Sequence, residues 1–145
     1  MSEISRNSVD IEAPFSEVLA VLSDLESYPG WSTAIKSVEA EVKEDAGLVT
    51  KAKMSIEAGV LRDRVTLDYD WSKLPNEITF SLDDADLLTE MTGAYKLNDN
   101  GDDTTTVTYE LTVALSMPVP AMMRQKAERS TIDLVLSQLK AKLEG

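Results

Sequence analysis

The sequence predicts an α+β fold in which a curved, seven-stranded antiparallel sheet wraps a long C-terminal helix running from Pro118 to Lys142. Three observations carry this reading. Between Ser37 and Ala114, short segments alternate apolar and polar residues and are separated by turn residues, which is the pattern of a sheet covered on one face. Ile132, Val135, Leu136, Leu139 and Leu143 then recur at three- and four-residue spacing, marking a helix with one buried stripe. At 1.5 Å per residue a helix of ~24 residues is ~36 Å long, enough to lie across such a sheet.

The elements follow in order. Ser5, Asn7, Val9 and Ile11 share one face of a first strand that ends near Glu12. Pro14 suits the first turn of a helix, where its missing N–H is not needed. Phe15, Val18, Leu19 and Leu22 continue that helix to about Asp24. Asp24 to Trp31 breaks regularity at Pro29-Gly30, and Ser32 to Ile35 is read as a second short helix. Val38, Ala40 and Val42 form a strand, turned at Asp45-Ala46-Gly47. Thr50, Ala52, Met54 and Ile56 form the next, broken at Ala58-Gly59. Leu61, Val65, Leu67, Tyr69 and Trp71 share the apolar face of a fourth strand, closed by Leu74-Pro75-Asn76. Ile78, Phe80 and Leu82 precede a polar turn at Asp83-Asp84-Ala85-Asp86. Met91, Gly93, Tyr95 and Leu97 lead to the hairpin signal Asn98-Asp99-Asn100-Gly101-Asp102. Val107, Tyr109, Leu111 and Val113 complete the sheet.

Composition limits the chemistry. The 145 residues fit one domain, 1–145, with no repeat or linker. No segment approaches the ~20 apolar residues of a membrane span, and Met1-Ser2-Glu3-Ile4-Ser5-Arg6 lacks the pattern of a signal peptide, so a cytoplasmic protein without integral membrane association is expected. Cysteine and histidine are both absent. Thiolate chemistry is therefore excluded, and any proton transfer must use Asp, Glu, Tyr, Lys or Arg. The formal charge of −12 opposes binding to nucleic acid. The Asp83–Glu90 and Asp99–Asp103 acidic groups do not match a calcium loop, so neither a metal nor a cofactor is expected.

The inward faces give the candidate site. Met54, Ile56, Tyr69, Phe80, Met91, Tyr95 and Tyr109 are expected to face Met122, Met123 and Ala127 across a pocket, with small residues at Ala52, Gly93 and Ala127 leaving room. Flexible Met, aromatic walls and a few hydroxyls suit an adaptable apolar pocket. The competing reading is that these side chains simply fill the core. The three strand tyrosines stand out because a buried phenol needs a hydrogen-bond partner that a ligand can supply. Trp31 closes the pocket mouth or plugs the short helices; the sequence favours neither. Asp63 is the one carboxylate in register with an apolar face. It is read as sitting at the cavity rim, hydrated or paired with an arginine, while Arg62 and Arg64 pair with Asp68 or Asp70 across the outer surface. Met117 to Met123 forms either a mobile gate or a rigid, proline-set helix start.

Ile11-Glu12-Ala13-Pro14 leading into Val18, Asp24 with Tyr28-Pro29 and Trp31, Gly93-Ala94-Tyr95-Lys96-Leu97, and Thr105 to Val113 before the terminal helix together resemble the START-like, or SRPBCC, superfamily. The branch they are most similar to is the bacterial polyketide cyclase/dehydrase and coenzyme Q-binding one. The resemblance spans nearly the whole chain and implies the helix-grip fold (β-α-α-β6-α), with a cavity for a lipid, quinone or polyketide. A carrier, sensor or chaperone for such an apolar molecule is the expected function, acting as a monomer or weak homodimer. The alternative is a polyketide cyclase/dehydratase in which Asp63 or Tyr69 moves protons. A protein-interaction domain using the cavity rim is a third reading.

Overall fold

The computed structural model describes residues 4–58 and 61–144. Gly59 of the expected Ala58-Gly59 break and Met1 to Glu3 of the N-terminal reading lie outside them. The order is β1 (Ser5–Ile11), α1 (Phe15–Ser23), a 3-10 helix (Leu25–Gly30), β2 (Ile35–Lys43), β3 (Val49–Ala58), β4 (Leu61–Asp70), β5 (Glu77–Ala85), β6 (Leu88–Asp99), β7 (Thr105–Leu115) and α2 (Ala121–Glu144). All seven strands join one antiparallel, curved sheet in the order β1-β7-β6-β5-β4-β3-β2. Hairpins connect neighbours from β2 to β7, and only β1 is brought in from a distance.

Helix α2 packs chiefly on β1 and β7 and reaches across to β3. Its buried residues, Glu128, Thr131, Ile132, Val135, Leu136 and Leu139, form one stripe. That stripe meets Ile11, Val107, Leu111 and Val113 from the strands and Val18 and Leu22 from α1 in one core. Among the described residues, no helix is long and apolar enough to cross a membrane.

The structure moves three expected boundaries. Helix α2 begins at Ala121, not Pro118, with the Pro120 carbonyl accepting from the amides of Met123 and Arg124 at 3.0 and 3.1 Å. Pro118 and Pro120 disfavour helical dihedrals at Met117 and Val119, the residues before them, so the helix begins only past Pro120. The second short helix occupies Leu25–Gly30 rather than Ser32 to Ile35, and Ile35 opens β2. It is fixed from inside: the Tyr28 hydroxyl donates to the Leu22 carbonyl at 2.5 Å, and the Tyr28 carbonyl accepts from Trp31 and Ser32. Finally, Asp83 and Asp84 lie within β5, which continues to Ala85 past a register shift opposite Thr66 and Leu67. Acidic residues on the outer face there look like a turn in sequence, yet Lys51 reaches Asp83 at 2.8 Å and stabilises them in a strand. The Asn98–Asp102 hairpin forms as expected, with Gly101 at φ +85°, a conformation that disfavours a Cβ.

Candidate functional site

Strand register alone brings the aromatic residues together. Tyr95 of β6 lies opposite Tyr109 of β7, and their rings stack with centroids 4.3 Å apart. Tyr69 of β4 lies opposite Phe80 of β5, with centroids 5.4 Å apart. Between this aromatic patch and α2 sits a cavity of about 30 Å³. Met54 and Ile56 line it from β3, Leu67 and Tyr69 from β4, Phe80 from β5, Met91 and Tyr95 from β6, and Tyr109 from β7. Thr131 and Val135 close it from α2, and Tyr28, Ala34 and Ile35 from the segment around the 3-10 helix. The chain has four tyrosines, and all four line this one cavity.

The volume is instructive. It gives room for about one or two water molecules, whereas sites for drug-sized ligands run to roughly 300–1,000 Å³. A quinone or polyketide would fit only after side chains swing outward. Met54 and Met91, unbranched and flexible, are the walls best able to do so. The small residue Gly93 leaves no room, contrary to expectation. The Phe80 ring lies over it, and a Cβ at that position would clash with Phe80 Cζ.

The cavity is polar only through hydroxyls. Burial pushes all four phenols above their ordinary range, and mutual repulsion among them adds to the shift at Tyr28, Tyr69 and Tyr95. The interaction between the Tyr95 and Tyr109 hydroxyls raises the first and lowers the second, short of offsetting burial. At neutral pH these groups are proton donors, not bases. The Thr131 hydroxyl is engaged, donating to the Ala127 carbonyl at 2.8 Å.

Asp63 does not line this cavity. It is buried at the end of β4, where its Oδ1 accepts from the amides of Arg64 (2.8 Å) and Asp86 (3.2 Å). Its Oδ2 accepts from Leu87 (3.0 Å) and Leu88 (2.8 Å). The carboxylate thus pins the β5–β6 turn through the amides of Asp86, Leu87 and Leu88, which replaces the expectation of a hydrated or arginine-paired rim residue. Arg62 and Arg64 also find other partners than Asp68 and Asp70. Register sets Arg62 opposite Glu57, and they pair at 3.1 Å, while Arg64 reaches Asp86 at 3.5 Å.

The remaining expected residues separate from the cavity. Trp31 packs on Tyr28 with centroids 5.1 Å apart, so it plugs the 3-10 helix and borders an outer cleft instead. Met122 is 81% exposed at the start of α2. Met123 and Ala127 face a different groove, shared with Leu87, Met117 and Val119. These positions lie outside the buried stripe of α2, and Met123 and Ala127 meet the end of β7 rather than the tyrosines.

Sequence reasoning did not single out Glu128. It is wholly buried, taking hydrogen bonds from the Ser5 hydroxyl (2.7 Å) and the Val113 amide (2.7 Å), with Arg124 at 3.4 Å. Strand β1 begins opposite Leu111, so Val113 lies beyond its reach, and α2 supplies the missing partners. Arg124 also reaches the Val113 carbonyl at 3.4 Å. The signal was present: Glu128 continues the Ile132, Val135, Leu139 stripe one turn back. Tyr28 and Ala34 carried no such signal, because one sits in a short 3-10 helix and the other in the turn before β2, where no apolar period runs.

The family model described as polyketide cyclase / dehydrase and lipid transport matches residues 11–140. Among curated proteins, none matches the sequence significantly. Several solved structures share the fold. A START superfamily protein from Mycobacterium smegmatis is 20% identical with TM-score 0.91, over 97% of each chain. A protein from Thermus thermophilus is 20% identical with TM-score 0.83, over 98% of this chain and 97% of that one. The Zhui aromatase/cyclase of a Streptomyces species is 13% identical with TM-score 0.75, over 98% and 93%. At these identities the likeness is one of fold.

Proposed function

The chain belongs to the polyketide cyclase/dehydrase and lipid transport family, and within it we propose that this member holds an apolar small molecule in the tyrosine-lined cavity as a carrier, sensor or chaperone. The observation that supports this reading is the cavity's chemistry. Its walls are aliphatic, thioether and aromatic, and the ionisable groups lining it are four phenols held neutral by burial. Such a site desolvates an apolar body and offers hydroxyls to one or two of its oxygens, the pattern that suits a quinone, an oxidised lipid or a polyketide.

The alternative, a polyketide cyclase/dehydratase in the same cavity, draws on the family description and on Tyr69 as a proton donor. Among the described residues it lacks a partner base: Asp63 lies outside the cavity with both oxygens committed to backbone amides. A cyclisation that removes a proton from carbon needs such a base within reach. Binding without turnover is therefore the better-supported reading.

Native mass spectrometry of protein prepared without detergent tests it. A co-purifying apolar molecule, together with a rise in melting temperature on adding it back, is the expected result. No bound species, and no melting shift across a panel of quinones, fatty acids and aromatic polyketides, would count against carriage. Turnover of a poly-β-ketone that Tyr69→Phe abolishes would favour the enzyme.

A further inference from the structure

A second apolar site lies outside the tyrosine cavity. A groove of about 290 Å³ runs between the β5–β6 turn, the end of β7 and the first turns of α2. Leu87, Met117 and Met123, among the few exposed large apolar side chains of the described residues, line it at 48%, 62% and 62% exposure. Exposed apolar side chains gathered in one concavity mark a binding surface more often than an accident of packing. Its ionisable lining residues, among those described, are Arg62 and Arg124, both cations, in a chain of 26 acidic and 14 basic residues.

We propose that this groove binds a medium-chain alkyl carboxylate, its chain along Leu87, Met117 and Met123 and its head between Arg62 and Arg124. Both arginines have capacity to spare. The Arg62–Glu57 pair is exposed on both sides, 74% and 41%, and such pairs exchange at little cost. Among the described residues, the half-buried Arg124 makes its contacts to Val113 and Glu128 through Nη1, which leaves Nε and Nη2 to present a fork to a carboxylate. The chain's overall negative charge does not forbid this, because salt screens it beyond ~8 Å while the two arginines act at contact range. The volume, at the lower edge of small-molecule sites, suits a medium alkyl chain better than a fused-ring body.

The test is a titration of the whole protein with decanoate, read by the 13C-methyl signals of its methionines. Met117 and Met123 report the groove, and Met54 and Met91 the cavity, so the outcome here is separable from that for the proposed function. Saturable shifts of Met117 and Met123 are expected below the micellar range. Decanol should bind more weakly. Arg62→Gln should weaken decanoate roughly threefold while leaving decanol unchanged. Met123→Asp, at an exposed position, should weaken both, decanol through the lost apolar contact and decanoate more than tenfold because the added like charge acts on it as well. Shifts confined to Met54 and Met91, no saturation, or an Arg62→Gln protein that binds decanoate like the wild type would each overturn the proposal. So would binding seen only with vesicles of anionic lipid, which would make the groove a membrane contact.

Discussion

Replacing Asp63 by asparagine should cost stability and leave ligand binding in the cavity nearly untouched. Four backbone amides converge on this carboxylate, two on each oxygen, at 2.8–3.2 Å. An asparagine keeps one acceptor oxygen and turns an NH2 group toward the other pair, whichever way the amide is flipped. Two amides, at least one of them only part-buried, then lose their acceptor at up to ~1–3 kcal/mol each, so the destabilisation should be ~2–4 kcal/mol. For a chain of this length that corresponds to a fall in melting temperature of roughly 2–4 °C per kcal/mol. In urea the midpoint should drop by ~1–2 M or more with the slope unchanged, since the surface exposed on unfolding is the same. A variant that unfolds at the wild-type midpoint would refute the reasoning that Asp63 is a structural clamp. A variant of normal stability that had lost a catalytic turnover would refute it more severely.

Other consequences follow from the buried groups. Folding raises all four phenols above the ordinary value of 10.0, so the unfolded chain releases these protons first and stability is lost as pH rises past about 10. Each tyrosine contributes a slope of up to about 1.4 kcal/mol per pH unit, so absorbance at tyrosinate wavelengths and circular dichroism should change together in one alkaline transition; tyrosines ionising before the fold is lost would contradict this. Glu128→Ala should destabilise by ~3–5 kcal/mol, because the Val113 amide, the Ser5 hydroxyl and Arg124 all lose their partner; chemical denaturation measures it, and a loss under 1 kcal/mol would show that water replaces the carboxylate. Gly93→Ala should cost ~1–3 kcal/mol, since its methyl would meet the Phe80 ring. The near-ultraviolet dichroism of the aromatic cluster should change with it, and an unaltered spectrum at full stability would mean the ring moves freely.

Much of the sheet was legible because alternation and turn chemistry are local. Thr50 to Ile56, Leu61 to Trp71 and Val107 to Val113 each declare one inward face, and Asn98 to Asp102 declares its hairpin. Placement of Met54, Tyr69, Phe80, Tyr95 and Tyr109 on one face follows from that periodicity, and the structure closes a cavity among them. What was not legible depended on contacts distant in sequence. Asp63 finds its partners 23 to 25 residues away, in a turn that only the folded sheet brings near. Met122, Met123 and Ala127 precede the buried stripe of α2, which begins only at Glu128. Tyr28 joins the site from a 3-10 helix too short to show an apolar period.

The central claim is that the space enclosed by the four tyrosines receives an apolar molecule by displacement of its flexible walls. The direct measurement is a titration with a short-chain benzoquinone, following the 13C-methyl signals of Met54 and Met91, which line that space from two different strands. Saturable shifts at both methyls, accompanied by a rise in melting temperature and weakened by Tyr69→Phe, are predicted. Unmoved Met54 and Met91 signals at probe concentrations that saturate any other site would contradict the account, and would leave the cavity as core.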